Sequence, residues 1–526
     1  TIGGLVKTAG ADLSFTASSG GVNSTSAKLS ILGPTLGGDV TFANPGGSGG
    51  ILLGVTLPNP GKNITFSDKV AATANVRVIG DDITFADTVN GDASGNKRRL
   101  TLESTGVVAF NKAVGNTGQF DALVVSGSGS TLIKGGSVKA ISQRFLNEVV
   151  FGASATLTGT DVEFGGPVDA AIATSPSLTV NASGNTVFGG AVGASGGTLT
   201  AVVTDAAGAT TLKGGLIAAT KQTFNDPVTL SANTTITGQT VTFGKSLNAD
   251  LEANGRELKL VVGGVTTLRG AVGLGRDGVL GTSDDGGLLR LSTEAGGSTF
   301  IGGGTVKAGV QTYGDSVSLG ANTTLSGATF RFDDTLNSAG GAPTLTLKNT
   351  GTATFNGAVG NSTLGALITA STGSTVIRTS SLKATTQTYN NPVLIGNDTK
   401  LTGTTVTFNS TIDGASASEQ ETLTINANTT VLNAAAAVGR TRALKAFTTD
   451  ASGTTTIANG KLNAATIQFN DKLILAANTT LSGSTIALKA VEGDATSNNR
   501  TLTINANLLT TLGGKIGESG VLAKFT

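Results

Sequence analysis

The 526-residue chain has no cysteine, histidine, methionine or tryptophan, and only two tyrosines. Without cysteine there can be no disulfide, thiolate metal site or haem-attachment motif. Without histidine there is no Ser-His-Asp chemistry, no zinc site of the usual kinds and no imidazole base. The missing methionine includes an initiator, so Thr1 is read as lying inside a longer or processed chain. Charged residues make up 13%, with 35 basic against 34 acidic and a formal net charge of +1. Such a balance leaves no electrostatic footprint for nucleic acid or an anionic membrane. No signal peptide, lipidation motif or apolar run of membrane-spanning length is visible.

Glycine is abundant, at 77 residues, and Thr, Ser, Asn and Val dominate the remainder. Helix-favouring runs are nearly absent, a mixture that fits short strands joined by tight turns. A naive length count gives three or four domains, but internal repeats change that prior. The stretch Gln222 to Leu247, QTFNDPVTLSANTTITGQTVTFGKSL, has near-copies beginning near Gln143, Gln311, Gln387 and Gln468, and a weaker one near Ile64. Its aromatic anchor falls at Phe66, Phe145, Phe224, Tyr313, Tyr389 and Phe469, in steps of 79, 79, 89, 76 and 80 residues.

Spacing inside the template is tighter than spacing between copies. Fourteen residues after each anchor stands a glycine: Gly80, Gly159, Gly238, Gly327, Gly403 and Gly483. Nineteen residues after it stands a second large apolar residue: Phe85, Phe164, Phe243, Phe332, Phe408 and Leu488. A step held at 19 while others drift implies a closed turn of backbone of fixed length. The glycine is read as a sharp bend needing positive φ.

A smaller unit recurs within the large one: a large apolar residue, three small or polar residues, then an aliphatic. Examples are Phe85-ADT-Val89, Phe164-GGP-Val168 and Phe355-NGA-Val359. Alternation before the large residue, as in Val162-Glu-Phe164, marks a strand with one buried face. Pro167, Pro227 and Pro392 sit in the corner that follows, where a missing N–H does least harm. Polar inserts of changing sequence follow the second apolar position, at 90–99, 169–177, 248–257, 337–343, 413–421 and 492–500. Insertion at one point of a repeat predicts projection from one side, a candidate contact surface.

The fold reading is an all-β parallel β-helix solenoid. Its super-repeats of about 79 residues each hold three to four turns. Residues 1–526 form one continuous solenoid, with looser turns in 1–50 and about six super-repeats in 51–526. A string of immunoglobulin-like sandwiches would explain the long period, but neither the recurring small unit nor the constant 19-residue step.

The QTYNDPV, ANTTLTG, TVTF and F-GAVG phrases resemble the β-strand repeats of large exported bacterial surface proteins, the haemagglutinin-type adhesins and autotransporter-type passenger domains. That resemblance is one of repeat style and covers nearly the whole chain. It implies a right-handed β-helix, exported to the cell surface or secreted, acting as stalk, adhesin or matrix fibre. It carries no catalytic residues. The family's secretion domain and translocation signals do not occur in these residues.

The most site-like stretch is GLGRDGVLGTSDDGG, 273–287. Asp277, Asp284 and Asp285 resemble Asp/Gly-rich calcium loops, since calcium takes several oxygen ligands on a flexible backbone. The competing reading is a solvated hairpin, so calcium stands as a candidate beside no cofactor at all. Asn-Thr-Thr at Asn233, Asn322, Asn428 and Asn478 is formally a glycosylation sequon, but asparagine also suits turns. Lys97, Arg98 and Arg99 form a short basic run, read as a solvated loop. The carboxylate pairs Asp81/Asp82 and Asp333/Asp334 are adjacent on strands, point to opposite faces and make no ready acid–base couple.

The functional reading is an extracellular structural β-helix, a fibre, stalk or matrix component without catalysis. It self-associates through strand edges and Thr/Asn-rich faces. An adhesin stalk for a surface ligand or polysaccharide is the runner-up, and a polysaccharide-processing enzyme the contrasting class.

Overall fold

The computed structural model describes residues 13–16, 38–43, 50–275, 285–416 and 421–526. It is an all-β parallel β-solenoid of about 22 turns, 61% strand and 2% helical. By internal contacts the chain divides into two compact units, Thr1–Asp250 with Arg256–Val262, and Leu251–Gly255 with Gly263–Thr526.

Sequence alternation becomes alternation of burial. In Ser177–Ala182 the side chains of Leu178, Val180 and Ala182 are buried, while Ser177, Thr179 and Asn181 lie outward. The strands pair in parallel with the turns before and after. The constant 19-residue step is one such turn, because each anchor is the register partner of the apolar residue 19 positions on: Phe66 with Phe85, Phe145 with Phe164, Phe224 with Phe243, Tyr313 with Phe332, Tyr389 with Phe408 and Phe469 with Leu488. All twelve side chains are buried. The rings stack face over face, from 4.9 Å between the centroids of Phe66 and Phe85 to 5.8 Å for Phe145 and Phe164. Burying each is worth ~1.5–3 kcal/mol before entropy, and the stacked geometry adds ~0.5–1.5 kcal/mol per pair.

In the first unit a turn has three sides, and three columns of inward residues run from turn to turn. One passes through Phe42, Phe66, Phe85 and Phe110. The next passes through Phe145, Phe164, Phe188, Leu212 and Leu230, and the last through Leu157, Val180, Thr204 and Phe224. The anchors Phe66, Phe145 and Phe224 therefore stand in three different columns. Three turns above Phe145 the column has reached Leu212, and Phe224 lies 12 residues further along the chain. The sequence repeat is not a whole number of turns, so equivalent residues move to another column with each copy.

The second unit behaves in the same way. Tyr313 lies in a column with Thr293 below it and Phe332, Phe355 and Ile377 above. Tyr389 lies in a different one through Phe408, Leu432 and Ile457.

This rotation corrects the expectation that the inserts project from one side. In the first unit the inserts follow Val89, Val168 and Leu247. Val89 stacks with Val114 and Val138, Val168 with Val149 and Val192, and Leu247 with Val228, so each insert leaves from a different column. In the second unit the same holds after Leu336, Ile412 and Val491, which stack with Val317, Val393 and Leu473.

The repeat glycine is also corrected. Gly80, Gly159, Gly238, Gly327, Gly403 and Gly483 are not among the residues with positive φ. Their reason is space. A Cβ at Gly238 would lie 2.3 Å from the Ala219 carbonyl oxygen one turn below, and one at Gly327 would lie 1.9 Å from that of Ala308. The proline corners are as expected: the carbonyls of Pro167, Pro227 and Pro392 accept from Val149, Thr210 and Thr375. Of residues 1–50, Leu13–Thr16 pairs with Val40–Ala43, which pairs in turn with Ile64–Phe66. The rest of the looser segment, apart from 38, 39 and 50, lies outside the described residues.

Gly238→Ala is expected to lower stability by ~1–3 kcal/mol, the range of overpacking in a well-packed interior. Gly95→Ala, where an added Cβ meets nothing within 4 Å, should stay within about 0.5 kcal/mol of wild type. Urea denaturation of the two variants measures the difference; equal effects would refute the steric account.

Candidate functional site

The polar residues with the most regular geometry lie inside the corners. Two residues before four of the anchors stands a fully buried glutamine: Gln143, Gln222, Gln311 and Gln387. The Gln222 amide donates to the carbonyls of Ala219 at 2.6 Å and Thr237 at 2.8 Å. Gln143, Gln311 and Gln387 donate likewise to the carbonyls of Thr158, Ser326 and Thr402. A buried backbone carbonyl at a bend needs such a donor. In the two tyrosine copies the ring hydroxyl completes the arrangement. Tyr313 donates to Gln311 Oε1 and Tyr389 to Gln387 Oε1, both at 2.9 Å. Where phenylalanine stands instead, Gln143 Oε1 and Gln222 Oε1 are buried with no donor in reach. Burial pushes the hydroxyl pKa of Tyr313 and Tyr389 upward, so both remain neutral donors.

Two residues after five of the anchors stands a buried aspartate or asparagine, clamped by threonine hydroxyls. Asp226 accepts from Thr204 at 2.6 Å and Thr210 at 2.7 Å. Asp315 accepts from Thr293 at 2.5 Å and Thr299 at 3.0 Å. Asp471 accepts from Thr449 at 2.6 Å and Thr455 at 2.7 Å. Asn391 accepts from Thr369 at 2.8 Å and Thr375 at 2.9 Å. Asn147 has only Thr131, at 2.9 Å, because Val125 occupies the other place. Inspection of the sequence did not find these slots. The signal was present as threonines 22 and 16 residues upstream of the acid or amide, but it means something only once the turn length is known.

Three of the four Asn-Thr-Thr asparagines are corner clamps as well. Asn233, Asn322 and Asn478 accept, through Oδ1, the backbone N–H of Glu257, Thr344 and Thr501 in the following turn. Asn75, Ser154 and Asp398 do the same at the equivalent position of the other copies. Asn428 is exposed and belongs to no such clamp position.

Of the calcium-loop residues, Asp277 and Asp284 lie outside the described residues. Asp285 is buried and accepts a 2.8 Å ion pair from Lys307, whose amine also meets Glu252 at 2.6 Å. Among the described residues no group of three or more His, Cys, Asp or Glu is placed to hold a metal ion. Two residues of the basic run are paired, one within its own corner and one with the following turn. Arg98 grips Asp92 through two 2.8 Å bonds and Arg99 reaches Asp121 at 3.2 Å. Arg256 with Asp250 and Arg500 with Asp494 repeat the grip in two other inserts. The guanidinium bonds hold the Asp92 and Asp494 carboxyls well below the usual range. The adjacent carboxylates also bond to neighbouring turns: Asp81 accepts from Thr105, Asp82 from the Val107 amide and Asp333 from Asn356.

On the outside, a groove of about 840 Å³ in the second unit is lined by Thr411, Ala435, Arg440, Asn459, Lys461 and Ser482, among others. No described helix is long and apolar enough to cross a membrane. Compared with known proteins, the chain matches no family model, no curated protein and no solved structure.

Tyr313→Phe is expected to cost ~1 kcal/mol through one lost buried hydrogen bond, and Phe224→Tyr to gain up to about that amount by supplying Gln222 Oε1 with a donor. Urea midpoints of the two variants check both signs. A loss of stability in Phe224→Tyr would show that the corner has no room for the hydroxyl.

Proposed function

We propose that this chain is an extracellular structural β-helix of the bacterial cell surface, a fibre, stalk or matrix segment that works without catalysis. The observation that carries the reading is where the buried polar groups go. Corner glutamines, clamped aspartates and asparagines, and repeat asparagines all bond to an adjacent turn, so the recurring chemistry of the chain serves the join between turns. Fixing turn to turn is what a load-bearing or spacing element requires, and a solenoid can be extended by adding turns. The resemblance in repeat style to exported surface proteins is what supports that location. The groove beside Arg440 and Lys461 favours the second reading, an adhesin stalk holding an acidic surface ligand.

Electron microscopy of the purified chain at low and high concentration, with and without calcium, tests the proposal. Filaments or laterally associated bundles that grow with concentration are expected. Uniform single particles at every concentration would overturn self-association and favour the stalk. A calcium requirement would assign the 273–287 loop to assembly. Protease accessibility on intact producing cells tests the location: full protection would refute surface exposure.

A further inference from the structure

Two grooves meet on the outside of the second unit. The one beside Arg440 and Lys461 shares Asn463 and Ser482 with a smaller groove of about 310 Å³, which continues to Asn505 and Asn507. Val438 stacks between Ile412 and Leu462, and Leu481 and Ile504 follow above. The same register sets Gly439, Asn463, Ser482 and Asn505 one above another, one residue per turn, at about 4.8 Å along the axis. Along the chain, Lys461 stands on one side of this ladder and Arg440 on the other.

The fold makes little use of these polar groups. Asn463 donates to the Gly439 carbonyl at 3.3 Å and keeps its Oδ1 open. The side chains of Ser482, Asn505 and Asn507 make no hydrogen bond among the described residues, and the charged ends of Arg440 and Lys461 have no partner there. Corner amides elsewhere bond to an adjacent turn. In four other copies the place of Asn463 is taken by Lys139, Ala218, Lys307 or Lys383, so the amide is particular to this copy. No carboxylate lines either groove. Asp413, beside Gly439 in the register, is buried and turned into its own corner, where it accepts from the Thr441 hydroxyl at 2.8 Å and the backbone N–H groups of Thr441 and Arg442.

We propose, resting on the adhesin reading above, that the two grooves form one axial site for a linear polysaccharide bearing uronate carboxylates. Arg440 and Lys461 meet a carboxylate at one end, a charge-assisted contact for which a guanidinium is well shaped. Asn463, Ser482 and Asn505 then offer one amide or hydroxyl per turn, groups that donate and accept as sugar hydroxyls do. An acidic peptide suits the site less. The groove runs across the strands, whose N–H and C=O groups are engaged in pairing between turns, so no strand can be added there. No aromatic ring lines the grooves, so recognition falls on hydrogen bonds and charge and weakens as salt rises.

Binding of hyaluronan, neutral dextran and polyglutamate to the chain, read by biolayer interferometry at low and physiological salt, tests the site. Hyaluronan, with a uronate on alternate sugars, is expected to bind and dextran not to. The double variant Arg440→Gln, Lys461→Gln should weaken hyaluronan about tenfold or more, and Asn463→Ala about threefold. Lys213→Gln, in the first unit, should change nothing. All four positions are exposed, and urea midpoints equal to wild type check that each variant folds. Undiminished hyaluronan binding in the double variant, or equal binding of dextran, would overturn the proposal. Polyglutamate binding that the double variant abolishes, without hyaluronan binding, would overturn it and leave the adhesin reading standing. Binding of neither acidic polymer would remove both.

Discussion

Each turn of this protein is held by parallel pairing, in register, with the turn beneath it. That constraint sets the rest. Phe145 lies over Val125 and under Phe164, and within a paired strand a one-residue slip would move every side chain to the wrong face, so changes of length are confined to the inserts, as between Phe85 and Phe110 and between Phe164 and Phe188. Aromatic stacks, close glycines and corner clamps are all consequences of one turn lying on the next about 4.8 Å away.

The interior combines two kinds of interaction with different roles. Apolar columns supply most of the free energy and tolerate exchange, as where Leu488 replaces phenylalanine over Phe469. Corner polar groups contribute less net energy but fix which turn lies on which. A glutamine that fails to meet Thr237, or an aspartate that misses Thr204 and Thr210, is left buried without a partner, at ~1–3 kcal/mol per group. Slipped registers are thereby excluded more firmly than apolar packing alone would manage.

The mismatch between sequence repeat and turn shapes the outer surface. Successive inserts leave from different columns in each unit, after Val89, Val168 and Leu247 and again after Leu336, Ile412 and Val491. Contacts made by inserts are therefore spread around the solenoid in each unit. A fibre built on such a segment would meet neighbours from several directions, whereas a single binding face would need features that do not follow the repeat.

Much of the architecture was legible in the sequence because it is local and periodic. Alternation gave the buried face of each strand. The constant 19-residue interval gave the turn, and the recurring phenylalanines gave the stack, since each depends only on residues near one another in the chain or at a fixed step. What sits over what was decided by the tertiary structure. The rotation of the inserts follows from a repeat that is three turns and 12 residues long, which no single copy reveals. Gly238 looked like a residue needed for its dihedral freedom and is needed instead because an added Cβ would lie 2.3 Å from the Ala219 carbonyl oxygen. Asp226 stands between Phe224 and Val228 in the sequence, and only the stacking of turns brings Thr204 and Thr210 to it. Periodicity fixes which way a side chain points, while its neighbours in the next turn are set by the register of residues some twenty positions away, which no local pattern encodes.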